Sequence, residues 1–343
     1  MGKIKVLFED LIVINQEIWF FSKYFNGLLK MDMDNGVVDV VSSIPKYKYD
    51  SERLVVKLIE FNGKIYCIPL KADEIWIYHI DSNIWESIEL DDSITVKDGL
   101  KFFQAKLFND KICCVPAFYQ RIVMIDTMTN RLTYIAFMDE YTKKSHYYLK
   151  DGFFRTDCAV KDDTLFLASC IDNRILCFNI VNYRVEWLTL GEKDNTYSGI
   201  MCIGNEFFIS PRRSGNVIIW NGVNNYKEIV LPELENNYFL GIVGFNEKIY
   251  ISGQSECGNI IIDEKTKSVN IEYLPLLARK VLEKEGLMVS IRQSGDIDIE
   301  TLSDIKKTLK CEIDKEKIIP FINTEEILRE SEIMTLDMFL NLI

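Results

Sequence analysis

The chain has 343 residues, 48% of them hydrophobic and 27% charged, which suits a globular protein with a large core. Lys and Arg number 40 against 52 Asp and Glu, a net charge of −12. A surface this acidic repels phosphate backbones and anionic membranes, so neither nucleic acid nor membrane is an expected partner.

The N-terminal Met1-Gly2-Lys3-Ile4-Lys5 runs straight into Glu9 and Asp10, so no signal-peptide apolar region is read there. No uncharged apolar stretch is long enough to span a bilayer. The nine cysteines show no C-x-x-C spacing and fall mostly inside apolar runs, as reduced thiols do in a cytoplasmic compartment. A cytoplasmic location is expected.

A repeat then emerges in chain order. An apolar residue followed by Asp, Asn or Glu recurs at Met31-Asp32, Ile80-Asp81, Ile125-Asp126, Phe178-Asn179, Trp220-Asn221, Ile262-Asp263 and Ile299-Glu300. The mean step is about 45 residues, the length of a propeller blade. A polar turn before an apolar pair keeps step, as in Asn62-Gly63-Lys64-Ile65-Tyr66 and Asn109-Asp110-Lys111-Ile112-Cys113. Each unit reads as four strands. In the second unit these are Leu54 to Phe61, Lys64 to Leu70, Ile75 to Ile80 and Ile84 to Leu90. The middle strands are apolar on both faces, which requires cover from both sides, and neighbouring blades supply it. The polar residue ending each third strand can accept backbone N–H bonds in the following turn.

Asp81-Ser82-Asn83-Ile84-Trp85 resembles the end of a kelch repeat. Leu165 to Ser169 with Arg174 to Asn179 resembles the YVTN-type repeats of bacterial propellers. The kelch Gly-Gly pair is absent from every unit. The resemblance implies a repeat protein that binds proteins, peptides or glycans, or in some members an enzyme.

The predicted fold is therefore all-β: a single β-propeller of seven four-stranded blades, or six, over residues 1–320, with a short C-terminal α-helical tail over 321–343. In the tail, Asn323 and Thr335 are the predicted caps. Leu336, Phe339, Leu340 and Ile343 fall on one stripe, which docks on the propeller or on a partner.

No catalytic, metal or cofactor signature appears. Of the two histidines, His79 lies inside a strand and His146 in an aromatic insertion. The best candidate surface follows from topology, because second-to-third-strand loops and blade-connecting loops share one end. The former carry Lys23, Lys71, Arg121, Arg174, Arg212, Arg213 and Arg292 against Asp73, Glu74, Asp172, Glu256 and Asp296. The latter add Tyr47 and Tyr49 from Pro45-Lys46-Tyr47-Lys48-Tyr49, and Tyr141, His146, Tyr147, Tyr148, Phe153, Phe154 and Arg155 from a long insertion. Guanidinium forks suit carboxylates and phosphates, and aromatic faces suit sugars and apolar side chains. The expected ligand-binding residues are Arg121, Arg174, Arg212, Arg213, Arg292, Lys71, Tyr147, Tyr148, Phe154 and His146. The expected function is a non-catalytic scaffold for a protein, peptide or acidic glycan, with a carbohydrate epimerase, mutarotase or lyase as the alternative.

Overall fold

The computed structural model describes residues 3–6, 8–23, 25–32, 37–94, 99–145, 152–155, 157–213, 215–223, 225–231, 239–245, 247–253, 259–272, 287–290 and 311–312. Most of them form six antiparallel sheets, each built from four strands that follow one another along the chain. The first sheet comprises β2 (Phe8–Ile14), β3 (Glu17–Ser22), β4 (Leu28–Asp32) and β5 (Val37–Ser42). The second is β6 (Val55–Phe61), β7 (Lys64–Pro69), β8 (Glu74–His79) and β9 (Ile84–Glu89). The third is β10 (Phe102–Phe108), β11 (Lys111–Pro116), β12 (Ile122–Asp126) and β13 (Arg131–Ile135), followed by the helix α1 (Glu140–Ser145). The fourth is β14 (Cys158–Lys161), β15 (Thr164–Ala168), β16 (Arg174–Asn179) and β17 (Val185–Thr189). The fifth is β18 (Tyr197–Ile203), β19 (Glu206–Pro211), β20 (Val217–Trp220) and β21 (Tyr226–Ile229). The sixth is β22 (Phe239–Phe245), β23 (Lys248–Gly253), β24 (Asn259–Asp263) and β25 (Val269–Glu272).

By contact the chain divides into two units. The first is Met1–Cys114, Val123–Thr133 and Lys280–Glu326, and the second is Val115–Ile122, Tyr134–Arg279 and Ile327–Ile343. In the first unit β2, β6 and β10 lie side by side, and in the second β14, β18 and β22 do. The core fills the space between facing sheets. Trp19, Leu28, Ile65 and Tyr78 pack between the first and second sheets. Ile175, Tyr197, Phe207 and Trp220 pack between the fourth and fifth, and Phe208, Ile219, Ile249 and Ile260 between the fifth and sixth. That two-sided cover is why β7 and β11 bury nearly every residue, whereas the outer β9 buries none completely.

Turn chemistry sets the sheet registers. Asn62 and Gly63 both have positive φ, which their types tolerate and a two-residue hairpin requires. At the third-to-fourth turns, Asp126 Oδ1 accepts from the Met128 and Thr129 N–H groups, and Asp263 Oδ1 from those of Lys265 and Thr266. Asn179 does the same for Val181 and Asn182. The turn role expected of these residues is thus observed. The second repeat is shifted from its expected place: Lys64 pairs with His79, as Lys111 pairs with Asp126. His79, not Asp81, is the structural equivalent of the recurring acid.

Chain-distant strands also pair. Strand β1 (Lys3–Val6) pairs with β26 (Leu287–Ser290), and β27 (Cys311–Glu312) adds to the outer edge of β5. The expected helix at 321–343 lies outside the described residues.

Candidate functional site

The expected sharing of one end by the two loop classes is borne out within each unit. In the first, Arg53 N donates to Lys23 O at 2.8 Å and Lys101 N to Leu70 O at 2.8 Å. The side chain of Asn26 holds the connecting loop by donating to Ile44 O and Tyr47 O, each at 2.8 Å. Asp73 N donates to Tyr47 Oη at 2.6 Å, Lys46 pairs with Glu74, and Lys101 reaches Asp73 at 3.4 Å. Burial raises the Tyr47 hydroxyl pKa and lowers that of the Lys101 ammonium, with Asp73 partly restoring the latter. Lys71 stands exposed beside this network.

In the second unit the backbone steps from sheet to sheet. Phe153 N donates to Ala117 O, Cys170 N to Phe153 O, Tyr197 N to Ser169 O, and Phe239 N to Arg212 O. The arginines expected here do different things. Arg213 is exposed, and Arg121 is partly exposed with Nη1 donating to Gln120 O at 2.7 Å. Arg212 is 0% exposed and donates to Phe239 O at 2.8 Å. Arg174, 8% exposed, is held by carboxylates of its own chain. Its Nε and Nη2 donate to Asp172 at 3.0 and 2.7 Å, its Nη1 to Asp139 at 2.5 Å, and its Nη2 to Thr142 Oγ1 at 2.8 Å. Arg174 and Arg212 are therefore interior groups, a correction to their expected place on an open rim.

Phe154 is corrected in the same way. It is 1% exposed, packed with Phe137 and Phe153 and stacked on Trp187 at 6.0 Å between ring centroids. An apolar ring gains more from that cluster than from water. Arg292, His146, Tyr147 and Tyr148 lie outside the described residues. His79 sits at the turn end of β8, where its Nε2 meets Glu86 at 3.0 Å.

Two buried carboxylates were not expected from the sequence. Both hold the same position in their repeats, immediately before Leu11 and Cys158, which pair with Phe20 and Leu167 on the second strands. Asp10 pairs with Lys57 at 2.8 Å and accepts from Leu58 N at 2.9 Å. Burial raises the Asp10 pKa, against the opposing pull of Lys57 and of the backbone N–H groups. Asp157, 2% exposed, accepts from Ile242 N at 2.7 Å. The available signal was a charge inside an apolar run, as in Phe8-Glu9-Asp10-Leu11-Ile12 and Val55-Val56-Lys57-Leu58-Ile59.

No known family pattern matches the chain, and no curated protein matches it. Solved structures do. Streptogramin B lyase is similar at 14% identity and TM-score 0.59, over 80% of this chain and 87% of that one. A catalytically inactive His-to-Ala variant of virginiamycin B lyase from Staphylococcus aureus, with quinupristin, is similar at 15% identity and TM-score 0.53. That likeness covers 76% of this chain and 81% of the other. The extracellular domain of BT4673 from B. thetaiotaomicron is similar at 16% identity and TM-score 0.54, over 79% of this chain and 37% of that one. The fold is that of a β-propeller repeat protein. The likeness does not single out kelch repeats.

Proposed function

We propose that this propeller is a non-catalytic cytoplasmic scaffold whose loop end takes a protein or peptide partner, with an acidic glycan as the other ligand its cations suit. One observation carries the reading. Lys71 and Arg213 hold the same place in their repeats, two residues past the proline that ends the second strand (Pro69 and Pro211), and both are exposed. In a chain of net charge −12, exposed cations on supported loops favour a carboxylate-bearing partner. Arg121, Arg292, Tyr147, Tyr148 and His146 complete the proposed contact set. Seven blades and a helical tail over 321–343 belong to the same proposal, supported by six described sheets and by the β1–β26 pair beyond them. Immobilised protein is compared with the Lys71→Glu, Arg213→Glu double variant for what each retains from native extract. The double variant loses the partner; equal retention by both overturns the reading.

The enzyme reading turns on histidine, since a His-to-Ala change leaves virginiamycin B lyase catalytically inactive. In this chain His79 sits at the turn end with Glu86, so histidine chemistry at the loop end would fall to His146. Turnover of a carbohydrate that His146→Ala abolishes would establish this second reading in place of the first.

A further inference from the structure

Helix α1 has six residues and no apolar stripe, too little to hold a helix in water by itself. Its sequence offers one strong start signal. Asp139 caps it, Oδ1 accepting from Thr142 N at 2.8 Å, and Lys143 N donates to Asp139 O at 3.0 Å. The same carboxylate accepts from Arg174 through its other oxygen. The Arg174 guanidinium also lies over two rings, 4.7 Å from the centroid of Tyr141 on α1 and 4.3 Å from that of Trp187 on β17. Trp187 Nε1 in turn donates to Phe137 O at 2.9 Å, just before the helix. One planar cation thus ties the cap, the third helical residue Thr142 and the ring of Tyr141 to the fourth sheet. A lysine could not make that fork and stack together.

We propose that Arg174 is a positioning residue of the loop end. It folds residues 137–143 onto the fourth sheet, so that α1 and the 58%-exposed Tyr141 present one fixed surface, and it touches no partner itself. The purpose rests on the binding reading above, whereas the folding role rests on geometry alone. Two measurements keep them apart.

The first needs no partner. Amide hydrogen exchange at Thr142 and Lys143, and tryptic cleavage after Lys143, are compared in wild type, Asp139→Asn and Arg174→Ala. Losing several charge-assisted bonds speeds local opening by about tenfold to a hundredfold. Arg174→Ala shows that acceleration at α1 while the β15–β16 ladder keeps its protection. Asp139→Asn, which retains a capping side chain, falls between. Unchanged exchange at α1 overturns the proposal, as does an equal rise across β15 to β17, which would make Arg174 only a sheet stabiliser.

The second measurement compares retention, from native extract, of the polypeptides lost by the Lys71→Glu, Arg213→Glu variant. Arg174→Ala weakens their retention. Full retention despite an opened α1 overturns the positioning role in binding. A wild-type protein that retains nothing overturns the binding reading and leaves the exchange result standing.

Discussion

Asp157 and Ile242 are 85 residues apart in the chain, yet Ile242 N donates to the Asp157 carboxylate at 2.7 Å. Gly199 makes the approach possible. A Cβ there would lie 2.8 Å from Asp157 Cβ and 3.1 Å from Ile242 Cγ2. Gly199→Ala should therefore destabilise the protein by about 1–3 kcal/mol through overpacking. Chemical denaturation checks this, and in an Asp157→Ala background the same change should cost less.

The Asp10–Lys57 pair joins the first strands of two consecutive sheets from inside. Asp10→Ala leaves the Lys57 ammonium and the Leu58 N–H without their acceptor, at about 3–5 kcal/mol. Replacing both partners together, as Asp10→Leu with Lys57→Met, should recover most of that loss, because no buried charge is then left alone. Urea midpoints of the two variants decide the point.

Asp139 links the α1 clamp to acidity. Burial pushes its carboxyl up, but the Thr142 N–H and hydroxyl and the Arg174 guanidinium pull it further down, so its folded pKa lies below the ordinary carboxylate range. A depressed folded value means the contribution is present above the unfolded pKa and is lost as pH falls through the folded one. The clamp should hold at neutral pH and release only in acid below the usual carboxylate range. Tryptophan fluorescence from Trp187, read as the difference between wild type and Asp139→Asn, should show one acid transition that the variant lacks.

Of Cys67, Cys113, Cys114, Cys158, Cys170, Cys177 and Cys202, only Cys202 is not buried. Burial, with Glu186 adding to it, pushes Cys177 up to about 12, and burial alone carries Cys67 and Cys114 higher still. Among these seven, a thiol reagent at neutral pH should modify Cys202 first and the rest only on unfolding. Peptide mass mapping of the time course checks the order.

Much of the fold was legible because the repeat is written in local chemistry. Asp126, Asn179 and Asp263 announce their turns by side-chain acceptors that bond residues two and three ahead. The second repeat was misregistered by two residues because Ile80-Asp81 imitates that signal, while His79 holds the position and turns to Glu86. The helix α1 was missed for a different reason: its stability comes from Arg174, 35 residues from Asp139, and not from its own pattern. The candidate site was legible in topology but not in charge. Arg174 turns inward to Asp139 of the preceding repeat and Arg212 to the backbone carbonyl of Phe239 in the next, and spacing along one chain carries no record of those meetings. Lys71 and Arg213 stay exposed, whereas Arg174 and Arg212 turn inward.

The β1–β26 pair has a consequence for synthesis. Lys3 pairs with Ser290 and Val6 with Leu287, so β1 leaves the ribosome roughly 280 residues before its partner exists. At about 5–20 residues per second that is a wait of roughly 15–60 s. Over the same interval the outer edge of β5 lacks β27. An open strand edge held that long is a template for pairing with other nascent chains. Lysine at alternate positions of β1, Lys3 and Lys5, puts charge along the waiting strand, as gatekeeper residues do. Such charge would act before the fold is complete, while the early strand waits for the late one.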